Sequence, residues 1–210
     1  MKSSLRYSFF ISLVLIAFTA SCGTTKTLHT WKDEGYNQRL RKVLVIAVSE
    51  VDFMRNHFEN VLVENLVSRG VEAVAGNKVF PQSGTKLDRE AIAAKVRELG
   101  LESVLVARPV NRGEVSKLYP GGVFVVPADY YHGWYGFYSD SIAFVSVPGR
   151  AYDAEYFTLV TNIYDVSSDK LIWTYLAQVK VEGSRQGAIN PFIATIMKQL
   201  EASKLVAPGS

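Results

Sequence analysis

The feature that most constrains the fold is an alternation of short apolar runs with amphipathic segments in the first half of the chain. Residues 43–48, 71–75 and 103–107 are short, apolar and rich in β-branched side chains. Such runs are typical of strands that are covered on both faces. The segments between them repeat apolar side chains every three or four residues, which predicts helices. The order β-α-β-α-β therefore predicts parallel strands joined by right-handed crossovers.

The helix boundaries are indicated by capping residues and glycines. Ser49 and Asp52 have capping-box spacing, and the first helix is predicted to run from there to about Arg69, where Gly70 suits a left-handed C-terminal cap. The second helix is predicted to end at Gly100. The residues between the second strand and this helix, 76–84, are predicted to form a loop.

The last third of the chain returns to regular patterning. Residues 156–164 and 171–182 alternate apolar and polar side chains around a short polar turn, which predicts a β-hairpin. Asn190 and Pro191 then suit the start of a closing helix. The fold class predicted is α/β, a single domain over residues 42–204 with one mixed β-sheet and packed helices.

A long connection separates the third strand from the hairpin. Residues 111–150 are dense in Gly, Pro, Tyr and Trp, and a connection this long in a compact domain is either functional or poorly ordered. Its centre, residues 130–138, holds the candidate binding residues Tyr130, Tyr131, Trp134, Tyr135, Phe137 and Tyr138. Such side chains suit a partner protein, a sugar ring or a membrane interface. The alternative is that they pack on their own sheet.

The N-terminus carries the pattern of an export signal. Lys2 and Arg6 precede an apolar run over residues 9–18, and small residues lead to Cys22, the only cysteine. The apolar run is shorter than the roughly 20 residues that a membrane-spanning helix needs. Residues 1–21 are therefore predicted to be a signal peptide, and residues 22–41 a polar tether.

The residues around Cys22 resemble the lipobox of bacterial lipoproteins. That resemblance implies that Cys22 is lipidated and becomes the first mature residue, so that the domain is attached to a membrane. Gly23 follows the cysteine, which favours the outer membrane over retention at the inner membrane. The alternative is a free thiol just beyond a cleaved secretory signal.

The charge balance argues against nucleic-acid binding. The chain has 210 residues with a formal net charge of +3, and Lys2 and Arg6 of the signal supply part of it. A protein that binds nucleic acid through electrostatics needs a basic face.

The patterns of common enzymes are missing from the sequence. The turn after the first predicted strand, residues 49–52, contains two carboxylates and no glycine, so it does not suit a phosphate. No Gly-x-Ser-x-Gly motif occurs. The two carboxylates of Asp153 and Glu155 would share a strand face, as a glycosidase pair does, but an exposed strand end explains them as well. We expect no catalytic residue.

The histidines do not suggest a metal site. His29, His57 and His132 fall in three separate segments, the predicted tether, first helix and long connection. A metal site needs clustered ligands. We expect neither a metal nor another cofactor.

Several core segments carry a resemblance to a known group of proteins. These are residues 42–47, 101–106, 162–165 and 170–173, of which the last two join a Tyr-Asp strand end to an aliphatic-Trp strand. They resemble bacterial outer-membrane-type lipoproteins with a Tyr/Gly-rich central loop. The domain of that group is similar to those of the curli-secretion lipoprotein and the lipoprotein activators of penicillin-binding proteins. The resemblance implies a periplasmic adaptor or assembly domain without a catalytic centre.

Together these features predict a non-enzymatic lipoprotein of the cell envelope, attached to the outer membrane through its lipid and facing the periplasm. Its expected partners are the membrane and another envelope protein. The main alternative is a protein that binds or cleaves a glycan, either peptidoglycan or a surface polysaccharide. A purely structural oligomer is a third interpretation.

Overall fold

The computed structural model describes residues 25–80, 89–110, 155–181 and 183–209. The first half contains strands β1 (Thr25–Lys32), β2 (Lys42–Ala47), β3 (Glu72–Ala75) and β4 (Ser103–Pro109), with helices α1 (Asp52–Val67), α2 (Gly76–Val79) and α3 (Arg89–Glu98). The second half contains β5 (Glu155–Asp165), β6 (Leu171–Val181), a 3-10 turn (Gln186–Ala188) and α4 (Ile189–Ala202).

The described strands form one six-stranded mixed sheet in the order β1-β6-β5-β4-β2-β3. β2 is parallel to both β3 and β4, whereas β5 is antiparallel to β4 and β6 is antiparallel to both β5 and β1. The α/β fold class is thereby confirmed, including the parallel crossover units and the hairpin. The predicted long connection, residues 111–150, lies outside the described residues.

Two sequence-based predictions are wrong. The tether predicted over residues 22–41 contains strand β1, which pairs with β6. Its sequence is mostly polar because β1 is an edge strand, and a register shift between Thr27 and His29 interrupts its alternation. The loop predicted over residues 76–84 begins with the short helix α2.

Helices cover both faces of the sheet. One core cluster joins the sheet to α1 and α4, and it includes Leu62, Trp173 and Ile196, each almost fully buried. The other cluster joins the opposite face to α3 through Ile92 and Val96. α1 forms where apolar side chains recur at a spacing of four, because this spacing places them on one helix face.

α1 and α4 lie side by side and run in the same direction. Phe58, in the first half of α1, and Phe192, near the start of α4, have ring centroids 6.0 Å apart. Near the ends, the Arg69 guanidinium donates a hydrogen bond of 2.7 Å to the Glu201 carboxylate. Both helices therefore begin at the same edge of the sheet.

The helices within the described ranges are too short or too polar to cross a membrane.

Candidate binding pocket at one edge of the sheet

A cavity of about 350 Å³ opens where β2 and β4 end and where α1 and α4 begin. β5 starts and β6 ends at this same edge, because both are antiparallel to their neighbours in the sheet. We call this edge the pocket edge. In sheets with parallel strands, ligands commonly bind beyond the carboxyl ends of those strands, as they would here.

The lining is predominantly apolar. Side chains from the sheet, α1 and α4 converge on the cavity: Ala47, Val48, Val51, Met54, Phe58, Ala107, Pro109, Phe157, Leu159, Val179, Ala188, Ile189 and Phe192. Phe58 and Phe192 are almost fully buried, whereas Val51 is 47% exposed at the mouth. This gradient produces a cleft with an apolar interior that is open to solvent on one side.

A few polar side chains also border the cavity, among them Ser49, Glu50, Arg108 and Arg185. The guanidinium of the exposed Arg185 lies 5.0 Å from the centroid of the Phe157 ring, a cation–π contact. Arg108 is buried at the end of β4, and one of its nitrogens donates a hydrogen bond of 3.4 Å to the Pro109 carbonyl. Cationic groups therefore border the apolar space.

A buried polar network fixes the wall that α1 contributes. The Glu59 side chain is fully buried, and its carboxylate accepts hydrogen bonds from the backbone N–H groups of Ala47, at 2.9 Å, and Asn77. Arg55 forms an ion pair with this carboxylate at 3.3 Å and donates a hydrogen bond of 2.8 Å to the Phe80 carbonyl. Burial raises the pKa of the Glu59 carboxyl, against the hydrogen bonds and the Arg55 charge, which lower it. The network ties α1 to the end of β2.

The N-terminus of the described chain lies at the pocket edge. β1 begins at Thr25, which pairs with Val179, and Val179 in turn pairs with Phe157. Val179 and Phe157 both line the cavity. Cys22 precedes Thr25 by three residues, and three peptide units span at most about 11 Å. A group attached to Cys22 is therefore joined to β1 by a connection of at most that length.

The two ends of the sheet differ in their surface chemistry. At the pocket edge, Val51 and Phe53 are 47% and 54% exposed. At the opposite edge, charges form pairs: Arg41 with Glu102 at 2.9 Å and Lys42 with Glu72 at 3.4 Å, both exposed, and Arg69 with Glu201 at 2.7 Å, which is partly buried. Val67, at the end of α1, is also 54% exposed. Exposed apolar side chains therefore occur at both ends, and these ion pairs distinguish the edge opposite the pocket.

Most of the site residues that the sequence predicts lie outside the described residues. Cys22 and the aromatic residues Tyr130, Tyr131, Trp134, Tyr135, Phe137 and Tyr138 lie outside the described ranges. So do Asp153 and His132, which the sequence offered as candidates for catalysis and metal binding. These assignments remain predictions.

The two histidines that the structure describes lie on different elements. His29 lies on β1, where burial lowers its pKa, and His57 on α1 pairs with the Asn190 side chain at 3.0 Å. Within residues 25–80, 89–110, 155–181 and 183–209, the His, Cys, Asp and Glu side chains form no group of three that could hold a metal ion.

Sequence reasoning missed the pocket, because its lining comes from segments far apart in the chain. It also missed the Glu59 network. The available signal was the spacing of Arg55 and Glu59, which places opposite charges on one helix face within the otherwise apolar surroundings of Phe58 and Leu62.

Comparisons with known proteins give distant likenesses only. No protein-family model matches the chain, and no curated protein matches it. Among solved structures, the PelC dodecamer from Paraburkholderia phytofirmans is 12% identical over 84% of this chain and 96% of its own, with a TM-score of 0.45. Lipoprotein GNA1162 from Neisseria meningitidis is 11% identical over 77% of this chain and 99% of its own, with a TM-score of 0.41.

Proposed function

We propose that this protein is a non-enzymatic lipoprotein of the cell envelope, attached to the outer membrane through Cys22, that binds another envelope component on the periplasmic side. The observation that carries the proposal is the position of β1. A lipid on Cys22 would hold the start of β1, and with it the pocket edge, close to the membrane surface.

The surface chemistry of the domain supports this orientation. Val51 and Phe53 are exposed at the pocket edge, and the paired charges lie at the opposite edge, where Val67 is also exposed. Apolar side chains are more stable at a lipid interface than in water, whereas charged side chains are more stable in water. The domain would therefore act beside the membrane, with its charged end towards the periplasm.

The pocket chemistry supports binding over catalysis. The Ser49 hydroxyl accepts a hydrogen bond of 3.1 Å from the backbone N–H of Val51, two residues further on, and so serves the local turn. Nucleophilic catalysis requires a base within hydrogen-bond reach of the hydroxyl. The Ser49 hydroxyl instead donates its proton to the Val51 carbonyl at 3.3 Å, within the same turn.

Replacing Cys22 with alanine tests the attachment. In the native host, we expect the wild-type protein in the membrane fraction and the Cys22→Ala variant without acyl modification and outside the outer membrane. The matched control is Ser21→Ala, which keeps a small residue before the cysteine and should leave attachment unchanged. Equal amounts of wild type and Cys22→Ala in purified outer membranes would contradict the proposal.

The aromatic segment at residues 130–138 supplies a second test. Replacing Tyr131, Trp134, Tyr135 and Phe137 with serine is expected to remove partners that co-purify with the protein, because aromatic anchors dominate binding energy at interfaces. Thermal unfolding checks that the fold survives. Unchanged partners with an intact fold would refute this role, and lost sedimentation with purified peptidoglycan would instead favour glycan binding.

A further inference from the structure

We propose that the pocket binds one acyl chain of an anionic membrane phospholipid, with the lipid phosphate at Arg185. This inference rests on the proposed function, since it takes the pocket edge to face the membrane. It extends that function by assigning a ligand class and a site to the described residues.

The volume and lining of the cavity suit a single hydrocarbon chain. Its volume of about 350 Å³ lies at the lower end of the roughly 300–1,000 Å³ that is usual for small-molecule sites. The lining residues range from Val51, which is 47% exposed, to Phe58 and Phe192, which are almost fully buried. Each methylene group that moves from water into this space favours binding.

The rim provides a cation for the head of such a lipid. The Arg185 guanidinium is held over the Phe157 ring, so it stands beside the apolar space and is also accessible to solvent. Arginine binds phosphate through two parallel N–H groups. Glu50 also borders the cavity, but it lies after β2, and β5 and β4 separate β2 from the strand that precedes Arg185.

The position of the site in the molecule favours a lipid over a protein partner. The cavity opens at the edge where β1 begins, within three residues of Cys22. Exposed Phe53, adjacent to the mouth in α1, is stacked on His57 with ring centroids 5.9 Å apart. A domain held by so short a connection would present this edge to the acyl chains before any soluble protein.

Photo-cross-linking in vesicles tests the proposal. The purified mature protein is reconstituted into phosphatidylethanolamine vesicles that contain phosphatidylglycerol with a diazirine at the end of one acyl chain. We expect mass spectrometry to map cross-links to the buried pocket residues Met54, Phe58 and Phe192. Cross-links confined to the exposed Val51 and Phe53, or none at all, would overturn the proposal, because the interior would then hold protein or nothing.

Two substitutions in the same turn provide a matched pair. Ala188→Phe places a ring in the cavity and should lower pocket cross-linking by about tenfold. Gln186→Phe adds the same ring at an exposed neighbour that does not line the cavity and should leave it unchanged. Arg185→Gln should reduce the preference for the anionic phosphatidylglycerol probe over a phosphatidylethanolamine probe that carries the same diazirine. Equal cross-linking of the Ala188 and Gln186 variants, with both folded, would overturn the proposal.

The outcome is separable from that of the proposed function. Cross-linking depends on the pocket, whereas attachment depends on Cys22, so each is measured without the other. If Cys22 carries no lipid but the pocket residues still cross-link, the ligand assignment stands and the attachment fails. If Cys22 is acylated and the pocket does not cross-link, the reverse holds. A pocket covered by a second copy of the chain would appear as a dimer in light scattering that Ala188→Phe dissociates, which also overturns the proposal.

Discussion

Replacing Glu59 with alanine is expected to lower the free energy of unfolding by about 3–5 kcal/mol, because it leaves a buried charge without its partner. Arg55 is nearly buried and pairs with the Glu59 carboxylate at 3.3 Å. The substitution also removes the acceptor for the N–H groups of Ala47 and Asn77. Urea titration measures the loss, provided that the slope of the unfolding free energy against urea concentration is the same in both proteins.

Glu59→Gln is the control, because it keeps the side-chain volume and one acceptor oxygen, and it should cost less stability than Glu59→Ala.

The pH dependence of stability provides a further check. Burial raises the pKa of the Glu59 carboxyl above its ordinary 4.5, so between that value and the folded pKa the folded protein binds more protons than the unfolded chain. The stability that this group contributes is complete below pH 4.5 and is lost as pH rises through the folded pKa. The advantage of wild type over Glu59→Gln should therefore shrink as the pH rises above 4.5, and a growing advantage would contradict the account.

Replacing Trp173 with alanine is the second large expected effect, a loss of about 3–5 kcal/mol in the free energy of unfolding. Trp173 is 0% exposed in the core between the sheet and α4. Its ring centroid is 5.9 Å from that of Tyr175, and its indole N–H donates a hydrogen bond of 3.1 Å to the Ser203 hydroxyl. Alanine leaves a large cavity and removes the indole donor, so the Ser203 hydroxyl loses that contact.

Trp31→Ala is the matched control, since it removes the same side chain from the partly buried edge strand β1. We expect it to cost about 1 kcal/mol. Thermal and urea unfolding of both variants measure the difference. Similar losses at the two positions would show that the burial of Trp173 between sheet and helix does not determine its contribution.

The fold could be predicted where apolar residues recur at the spacing of buried positions in a strand or helix. β2 and β4 are buried on both faces, and their central residues, 43–47 and 104–107, are correspondingly apolar without interruption. The hairpin strands β5 and β6 alternate around a turn, where the Asp165 carboxylate accepts a hydrogen bond of 2.8 Å from the backbone N–H of Ser168. In these elements, local sequence and tertiary environment agree, so pattern reading finds them.

The wrong predictions concern segments whose structure depends on residues that are distant in the sequence. β1 pairs with β6 from about 150 residues away, and its polar side chains give no sign of that pairing. α2 is only four residues long, and it begins at Gly76, where an added Cβ would meet the Val45 carbonyl oxygen at 3.0 Å. A requirement of this kind comes from packing against β2 and is invisible locally.

The pocket was unpredictable for the same reason. Local sequence patterns indicate ordinary core positions for four of the lining residues, Val48, Phe58, Phe157 and Phe192. Only the sheet order, which places β5 beside β4, and the parallel course of α1 and α4 bring them together around open space. The attachment point was suggested by sequence alone, and its nearness to the pocket followed from β1.

The measurement that tests the central claim most directly is the intact mass of the N-terminal peptide of the mature protein from its native host. We expect a peptide that begins at Cys22 and carries diacylglyceryl and acyl groups, which would hold the pocket edge at the membrane. A peptide that begins elsewhere, or an unmodified Cys22, would contradict the attachment and the proposed orientation of the pocket edge.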